Sequence, residues 1–183
     1  MKSPQPVKTI FRPWLWPQRI LSKCFASKIP WDLRFINFFV QRIIGVNLGT
    51  PWAVHFTSRV IGKVVIGKNV ERSFAVSGGC YFQGINGIYI GDNTIFAPGV
   101  KVISANHRQD VVGDNGHITC NPIKIGIGVW IGTNAVILPG VTIGDYAIIG
   151  AGAIVNKDIP SYGIAVGNPA QVIKYRELPK KSL

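Results

Sequence analysis

From residue 123 onward an aliphatic side chain returns every six residues: Ile125, Ile131, Ile137, Ile143, Ile149 and Val155. Two positions ahead of each sits another apolar residue, namely Ile123, Val129, Ala135, Val141, Ala147 and Ala153. Residues two apart share one face of a strand, so each hexad offers a short strand with one face to bury. Glycine follows the main aliphatic at 126, 132, 144 and 150, with Leu138 and Asn156 as the departures. A glycine at that period permits a tight corner that side chains would obstruct. Short strands that turn at regular corners bury their faces by coiling on themselves, which makes the chain a parallel β-helix. A β-sandwich also alternates apolar and polar residues, but it does not hold one period over six consecutive units.

The period extends backwards more roughly. Counting in sixes from Val102 gives Phe96, Ile90, Gly84, Gly78, Arg72, Ile66, Val60 and Val54. The companion positions are Val100, Thr94, Ile88, Phe82, Val76, Val70, Val64, Ser58 and Trp52, of which all but Thr94 and Ser58 are apolar. One break is expected, because Val102 to Ile125 is not a multiple of six. The polar stretch 104–122 therefore leaves the coil as an extruded loop. Long loops of this kind in compact domains are usually functional or disordered. His107 and His117, two of the three histidines, fall inside it.

Two further pieces flank the coil. Trp31 to Gly45 places Leu33, Ile36, Phe39, Val40, Ile43 and Ile44 near helical spacing, with Gly45 as a stop. After Pro160, an extended Ile164-Ala165-Val166 precedes an expected short C-terminal helix, with Asn168 as N-cap, Pro169 at the first position and Lys174 and Arg176 near its end. The expected organisation is an arm and helix over 1–50, the β-helix over 51–160, and the extended segment and helix over 161–183.

Hydrophobic residues make up 47% of the 183, enough for one domain with a buried core and against wholesale disorder. No apolar run is long enough to span a membrane, and the first residues lack a secretory signal pattern. Cys24, Cys80 and Cys120 suit neither a disulfide framework nor a paired zinc motif, so a cytoplasmic protein is the expectation. The charge is lopsided: 20 Lys and Arg against 8 Asp and Glu, a net +12 that favours an anionic partner. Residues 1–34 carry Lys2, Lys8, Arg12, Arg19, Lys23, Lys28 and Arg34 against Asp32, interleaved with Phe11, Trp14, Trp16 and Phe25. Such an arm either meets a membrane surface, at the inner face, or a polyanion, or packs its aromatics on the rest of the protein.

The strings Val129-Trp130-Ile131-Gly132, Pro139-Gly140-Val141-Thr142-Ile143-Gly144-Asp145, Ile149-Gly150-Ala151-Gly152 and Ala165-Val166-Gly167-Asn168-Pro169-Ala170 resemble the hexapeptide-repeat acyltransferases. The likeness reaches back through Ile90-Gly91-Asp92-Asn93 and the loop histidine, over roughly two-thirds of the chain. It implies an all-β, left-handed parallel β-helix, a homotrimer, and an acyl-CoA, by family frequency acetyl-CoA, as co-substrate; neither a nucleic acid partner nor a metal is expected. In that family a histidine on the extruded loop takes the proton from the acceptor. Asn106-His107-Arg108-x-Asp110 is similar to the branch of xenobiotic and surface-polysaccharide O-acetyltransferases, so Asn106 and His107 are the catalytic candidates. A neutral imidazole that removes the proton as the new bond forms is worth about 10²–10⁴ in rate. The resemblance also assigns the donor groove: Trp130 near the acyl end, Thr133 and Ala151 along the pantetheine arm, and Asn156, Lys157 and Lys174 towards the nucleotide. Two departures are Asn156, where a hydroxyl residue is common, and Gln171, where a similar sugar acetyltransferase carries arginine.

Other readings stay open here. The acceptor is a carbohydrate hydroxyl of surface-polysaccharide biosynthesis, an amino sugar or a xenobiotic, and no acceptor residue is assigned among Arg72, Gln83 and Asn86. The three histidines also raise a zinc protein similar to the γ-class carbonic anhydrases. The remote His55 and the spacing of His107 and His117 fit poorly with the three ligands such a site needs.

Overall fold

A computed structural model describes residues 29–107 and 119–177. The basic, aromatic arm up to Lys28, the central part of the loop with His117, and the last six residues lie outside them. The inward pairs of the repeat are where the pattern put them: Val129 and Ile131, Ala135 and Ile137, Val141 and Ile143, Ala147 and Ile149, and Ala153 and Val155 are all buried. The architecture is the left-handed parallel β-helix.

Its strands are β1 (Arg59–Ile66), β2 (Tyr81–Ile90), β3 (Ile95–Phe96), β4 (Lys101–Ile103), β5 (Ile123–Ile125), β6 (Trp130–Ile131), β7 (Val136–Ile137), β8 (Thr142–Ile143), β9 (Ile148–Ile149), β10 (Ile154–Val155), β11 (Gly163–Val166) and β12 (Gln171–Tyr175). They stack into three faces. The first holds β4, β7 and β10 in parallel register on the N-terminal half of β2. The second stacks β5 and β8 on the C-terminal half of β2. The third runs β3, β6, β9, β11. In the last coils, partners such as Ile125 and Ile143, or Ile137 and Val155, are eighteen residues apart, one full turn of three hexads.

The corners have two requirements. Gly132 is tight because a Cβ there would lie 2.6 Å from the Ala151 backbone nitrogen of the next coil. The left-handed conformation falls two positions later, at Gly128, Asn134, Gly140, Tyr146 and Gly152. The glycine after each aliphatic thus answers to the approach of the next coil, and the turn is made elsewhere, by residues that include Asn and Tyr.

The early coils depart from the even count. Phe82 pairs with Val102 and Val60 with Phe82, offsets of 20 and 22, so the period breaks a second time. Cys80 and Phe82 form the buried pair; the sixfold count had put Gly84 at the main position, beside Phe82. The extra residues between Phe82 and Val102 sit in the bend Gly84–Gly87, and those between Val60 and Phe82 accompany a short helix α2 (Glu71–Val76) that replaces a strand of the third face. This wider section is filled by Phe74, Phe82 and Phe96, with ring centroids 4.6–5.0 Å apart. Their tilted and edge-on contacts are the arrangement that aromatic rings favour. Ser58 and Ser77 are buried here and donate to the Ser77 and Phe96 carbonyls, which removes the cost of placing hydroxyls in the core.

The N-terminal helix forms as expected but in an unexpected orientation, and the C-terminal segment differs from expectation. Helix α1 (Trp31–Phe38) forms and continues as a π-helical turn over Phe39–Ile43, as expected for Trp31 to Gly45. Its apolar residues do not form the buried face, however. Asn37 and Gln41 are buried in their place, and they cap the open end of the coil. The Asn37 amide donates to the Ala75 carbonyl and accepts from the Phe56 N–H, both at 2.9 Å. Gln41 donates to the Thr50 and Trp52 carbonyls and accepts from the Val54 N–H. At the other end, residues 171–175 are not a helix. They form β12, antiparallel to β11, because β11 is the last strand of its face and its edge groups need a partner. Val172 and Ile173 are β-branched and suit that strand.

Gly132→Ala is expected to lower stability by about 1–3 kcal/mol through overpacking against the next coil. Gly152→Asn should be nearly neutral, because Asn134 already occupies an equivalent corner; chemical denaturation of the two variants checks this.

Candidate active site

The loop leaves the coil after β4 and returns at β5, taking the place that Gly84–Gly87 occupies one coil earlier. Its two feet are fastened by polar residues of β2. Gln83 accepts from the Ala105 N–H at 3.1 Å. Asn86 donates to the Ser104 carbonyl at 2.9 Å and to the Cys120 sulfur at 3.1 Å, and the Asn86 N–H donates to the Ser104 hydroxyl. Cys120 donates in turn to the Ser104 carbonyl at 3.2 Å. Asn86 therefore ties the outgoing and incoming strands together. Asn106 and His107 emerge immediately beyond this clamp, both exposed, at the edge between the first and second faces. Gln83 and Asn86, weighed from sequence for the acceptor, hold the loop. The readable signal was a pair of amides inside an otherwise apolar strand; the role of Cys120 had none.

The donor-groove candidates fall into two sets. Trp130 stands on the outer surface of the third face, 51% exposed. The strand register runs Trp130, Ile148, Ile164, Lys174 across β6, β9, β11 and β12. Three steps at the usual strand separation place the Trp130 and Lys174 backbones about 14 Å apart on one line. Thr133 and Ala151 lie at the corner next to it, both exposed. They stack as successive coils, with the Gly152 N–H donating to the Thr133 carbonyl at 2.8 Å. Four of the six candidates thus share one side of the prism. Asn156 and Lys157 do not join them. They follow β10 and lie on the edge between the first and second faces, the same edge from which the loop departs.

His55 sits in the first turn, away from the loop. Its ring stacks on Phe56 at 4.6 Å, and its Nδ1 lies 2.9 Å from the Thr57 hydroxyl. Burial lowers its pKa below the ordinary histidine value. Among the described residues, no three His, Cys, Asp or Glu side chains come together as a site for a metal ion.

A coil of this design carrying a loop histidine defines a class. Residues 122–157 match the family model described as bacterial transferase hexapeptide (six repeats). Over that stretch the chain is similar to the hexapeptide-repeat acyltransferases. It is similar to the galactoside O-acetyltransferase of Escherichia coli (strain K12), 48% identical over 88 residues that cover 48% of this chain and 43% of that protein. Among solved structures it is similar to a maltose O-acetyltransferase from Clostridium difficile 630, with 40% identity and a TM-score of 0.54 over 63% of this chain and 60% of that one. It is also similar to a hexapeptide-repeat-containing acetyltransferase from Vibrio cholerae O1 biovar eltor complexed with acetyl coenzyme A, with 28% identity and a TM-score of 0.56 over 64% and 63%. The chain spans about half the length of the curated relatives it matches.

Two outcomes are expected from this geometry. Asn86→Ala removes donors to Ser104 and Cys120, costs about 1–3 kcal/mol in chemical denaturation, and speeds amide exchange at Ala105. The lowered pKa of His55 means that the unfolded chain binds the proton more readily. Its stabilising contribution is full above the unfolded value and is lost as pH falls through the folded one. His55→Asn should therefore flatten the loss of stability on acidification below about pH 6.5, seen in denaturation series at stepped pH.

Proposed function

We propose that this protein transfers the acetyl group of acetyl-CoA to a hydroxyl of a carbohydrate acceptor, with His107 as general base. The observation that carries this reading is the histidine at the foot of a loop clamped to the coil, in a family whose relatives include galactoside and maltose O-acetyltransferases. The acceptor hydroxyl gives its proton to the neutral imidazole as its oxygen attacks the thioester carbonyl carbon. The carbon–sulfur bond then breaks, and the imidazolium returns the proton to the departing thiolate. The products are an acetyl ester and free CoA, and no other reactant is needed. Thioester carbonyls are already electrophilic, so the deprotonation of a weakly acidic hydroxyl is the step that needs help.

Acetyl-CoA lies along the side that carries Trp130, Thr133 and Ala151, where small residues let the pantetheine approach the backbone, and Lys174 meets the phosphates by charge-assisted hydrogen bonds. Asn106 steadies the base. Asn156 and Lys157 share the edge of the His107 loop, and that edge is separated from the Trp130 side by the first face. A homotrimer accounts for this division, because one copy then supplies the histidine edge and its neighbour the donor side. The acceptor belongs to surface-polysaccharide biosynthesis in the cytoplasm, and the basic arm holds the enzyme at the inner face of the membrane, near lipid-linked substrate.

The test is acetyl transfer to a panel of sugars, with donor binding followed by calorimetry. His107→Ala should lose about 10²–10⁴ in rate while keeping its affinity for CoA. A variant that transfers acetyl groups at the native rate would exclude His107 as the base. Absence of CoA binding by the native protein would exclude the whole reading.

A further inference from the structure

The helix at the N-terminal end of the coil is amphipathic in the inverse sense. Its buried residues are the amides Asn37 and Gln41, and its outer surface is apolar. Trp31 is 67% exposed, Phe35 68% and Ile43 66%, with Phe38, Ile44 and Leu48 exposed beside them. Isolated apolar side chains on a surface are ordinary, but a contiguous group on one element marks an interaction site. Among the described residues these side chains stay outside the coil, because Asn37 and Gln41 are held on the opposite side by hydrogen bonds to the first coil.

We infer that this face is a docking surface for an anionic lipid bilayer. The charge pattern selects that occupant. Arg34 and Arg42 lie among the exposed aromatics and aliphatics, with Asp32 as the one acid of the helix. The 30 residues before it carry Lys2, Lys8, Arg12, Arg19, Lys23 and Lys28 and no acid. A segment with the same sign of charge is a poor electrostatic cover for the face. A second copy, itself carrying net +12, is no better. An anionic membrane complements both at once. It supplies an apolar layer for the aromatic and aliphatic side chains and headgroup charge for the arginines and lysines, the two signals that stable interfacial binding requires. Trp31 is a side chain favoured at that boundary, and Phe35 suits the apolar face of an interfacial helix. This surface is built from described residues of the helix and is distinct from the donor groove and the His107 loop.

The experiment is co-sedimentation of the full chain with phosphatidylcholine vesicles, with and without phosphatidylglycerol. Binding is expected to the anionic vesicles, to weaken with added salt, and to fall by more than about tenfold in Phe35→Glu combined with Ile43→Glu. Both side chains point to solvent, so the circular dichroism and melting of the variant should match the native protein. Phe35→Ser with Ile43→Ser gives the same reading without added charge. No binding to anionic vesicles overturns the inference, as does equal binding to neutral ones. Binding undiminished in both double variants also overturns it, and assigns the contact to the preceding arm. Concentration-dependent self-association that the substitutions abolish, without vesicle binding, overturns it in favour of a second copy. No donor or acceptor enters the measurement, so its result is separable from that of the transferase assay.

Discussion

The hydrogen-bond ladder between successive coils governs this structure. Most of its strands contain only two or three residues, too few to persist alone. Most are held by parallel bonds to the strand one turn earlier and one turn later, so stability is a property of the stack. The ladder demands that every turn return to the same register, and eighteen residues do so in the last coils. It also demands that backbones approach closely at the corners. That is why a Cβ on Gly126 would lie 2.7 Å from the Asp145 nitrogen. The loop obeys the same rule: Ile90 pairs with Ile125 as though the seventeen additional residues were absent.

A stack of this kind has two open ends, and the chain closes them by different means. At the N-terminal end the amides of Asn37 and Gln41 satisfy backbone groups around the first turn, from Val54 and Phe56 to Ala75. Buried backbone groups left without partners would cost more than the loss of an apolar contact, so amides are the stronger choice for the inner face. The consequence is a helix whose apolar residues face outwards. At the other end β12 folds back on β11 and occupies its edge.

The candidate site residues lie on the outside of the prism, where the ladder leaves side chains free. Periodicity puts one residue of each strand inward and the next outward, so Trp130 is exposed between buried Val129 and Ile131. Register then aligns Trp130 with Lys174 although they are far apart in sequence. The loop supplies what a regular coil cannot, a polar side chain standing off the surface. Asn86 and Cys120 fasten its feet, so the departure point of His107 is held by the same stack that aligns the donor-groove candidates.

The β-helix and its inward residues were legible in the sequence from residue 88 onward, because a buried face in a short strand forces a strict period. So was the loop, since nineteen residues out of phase cannot stay in the ladder. The second break at Gly84–Gly87 was not, because glycines and a helical corner leave no apolar residue to mark the phase, and Phe74 fills the widened space from an unexpected position. The helix over Trp31 to Gly45 was visible by its spacing, whereas its orientation was not: hydrogen bonds to the first coil turned Asn37 and Gln41 inward against their polarity. The last segment became a strand because β11 presented an open edge, a fact that exists only once the coil is built. The candidate site divides in the same way. Residue types and motif marked His107, Trp130 and Lys174 individually, and only the stacking decided that Trp130, Thr133, Ala151 and Lys174 share one side while Asn156 and Lys157 stand with the loop. Local pattern determines which side chains are buried; closure of the coil determines which of the remaining ones meet.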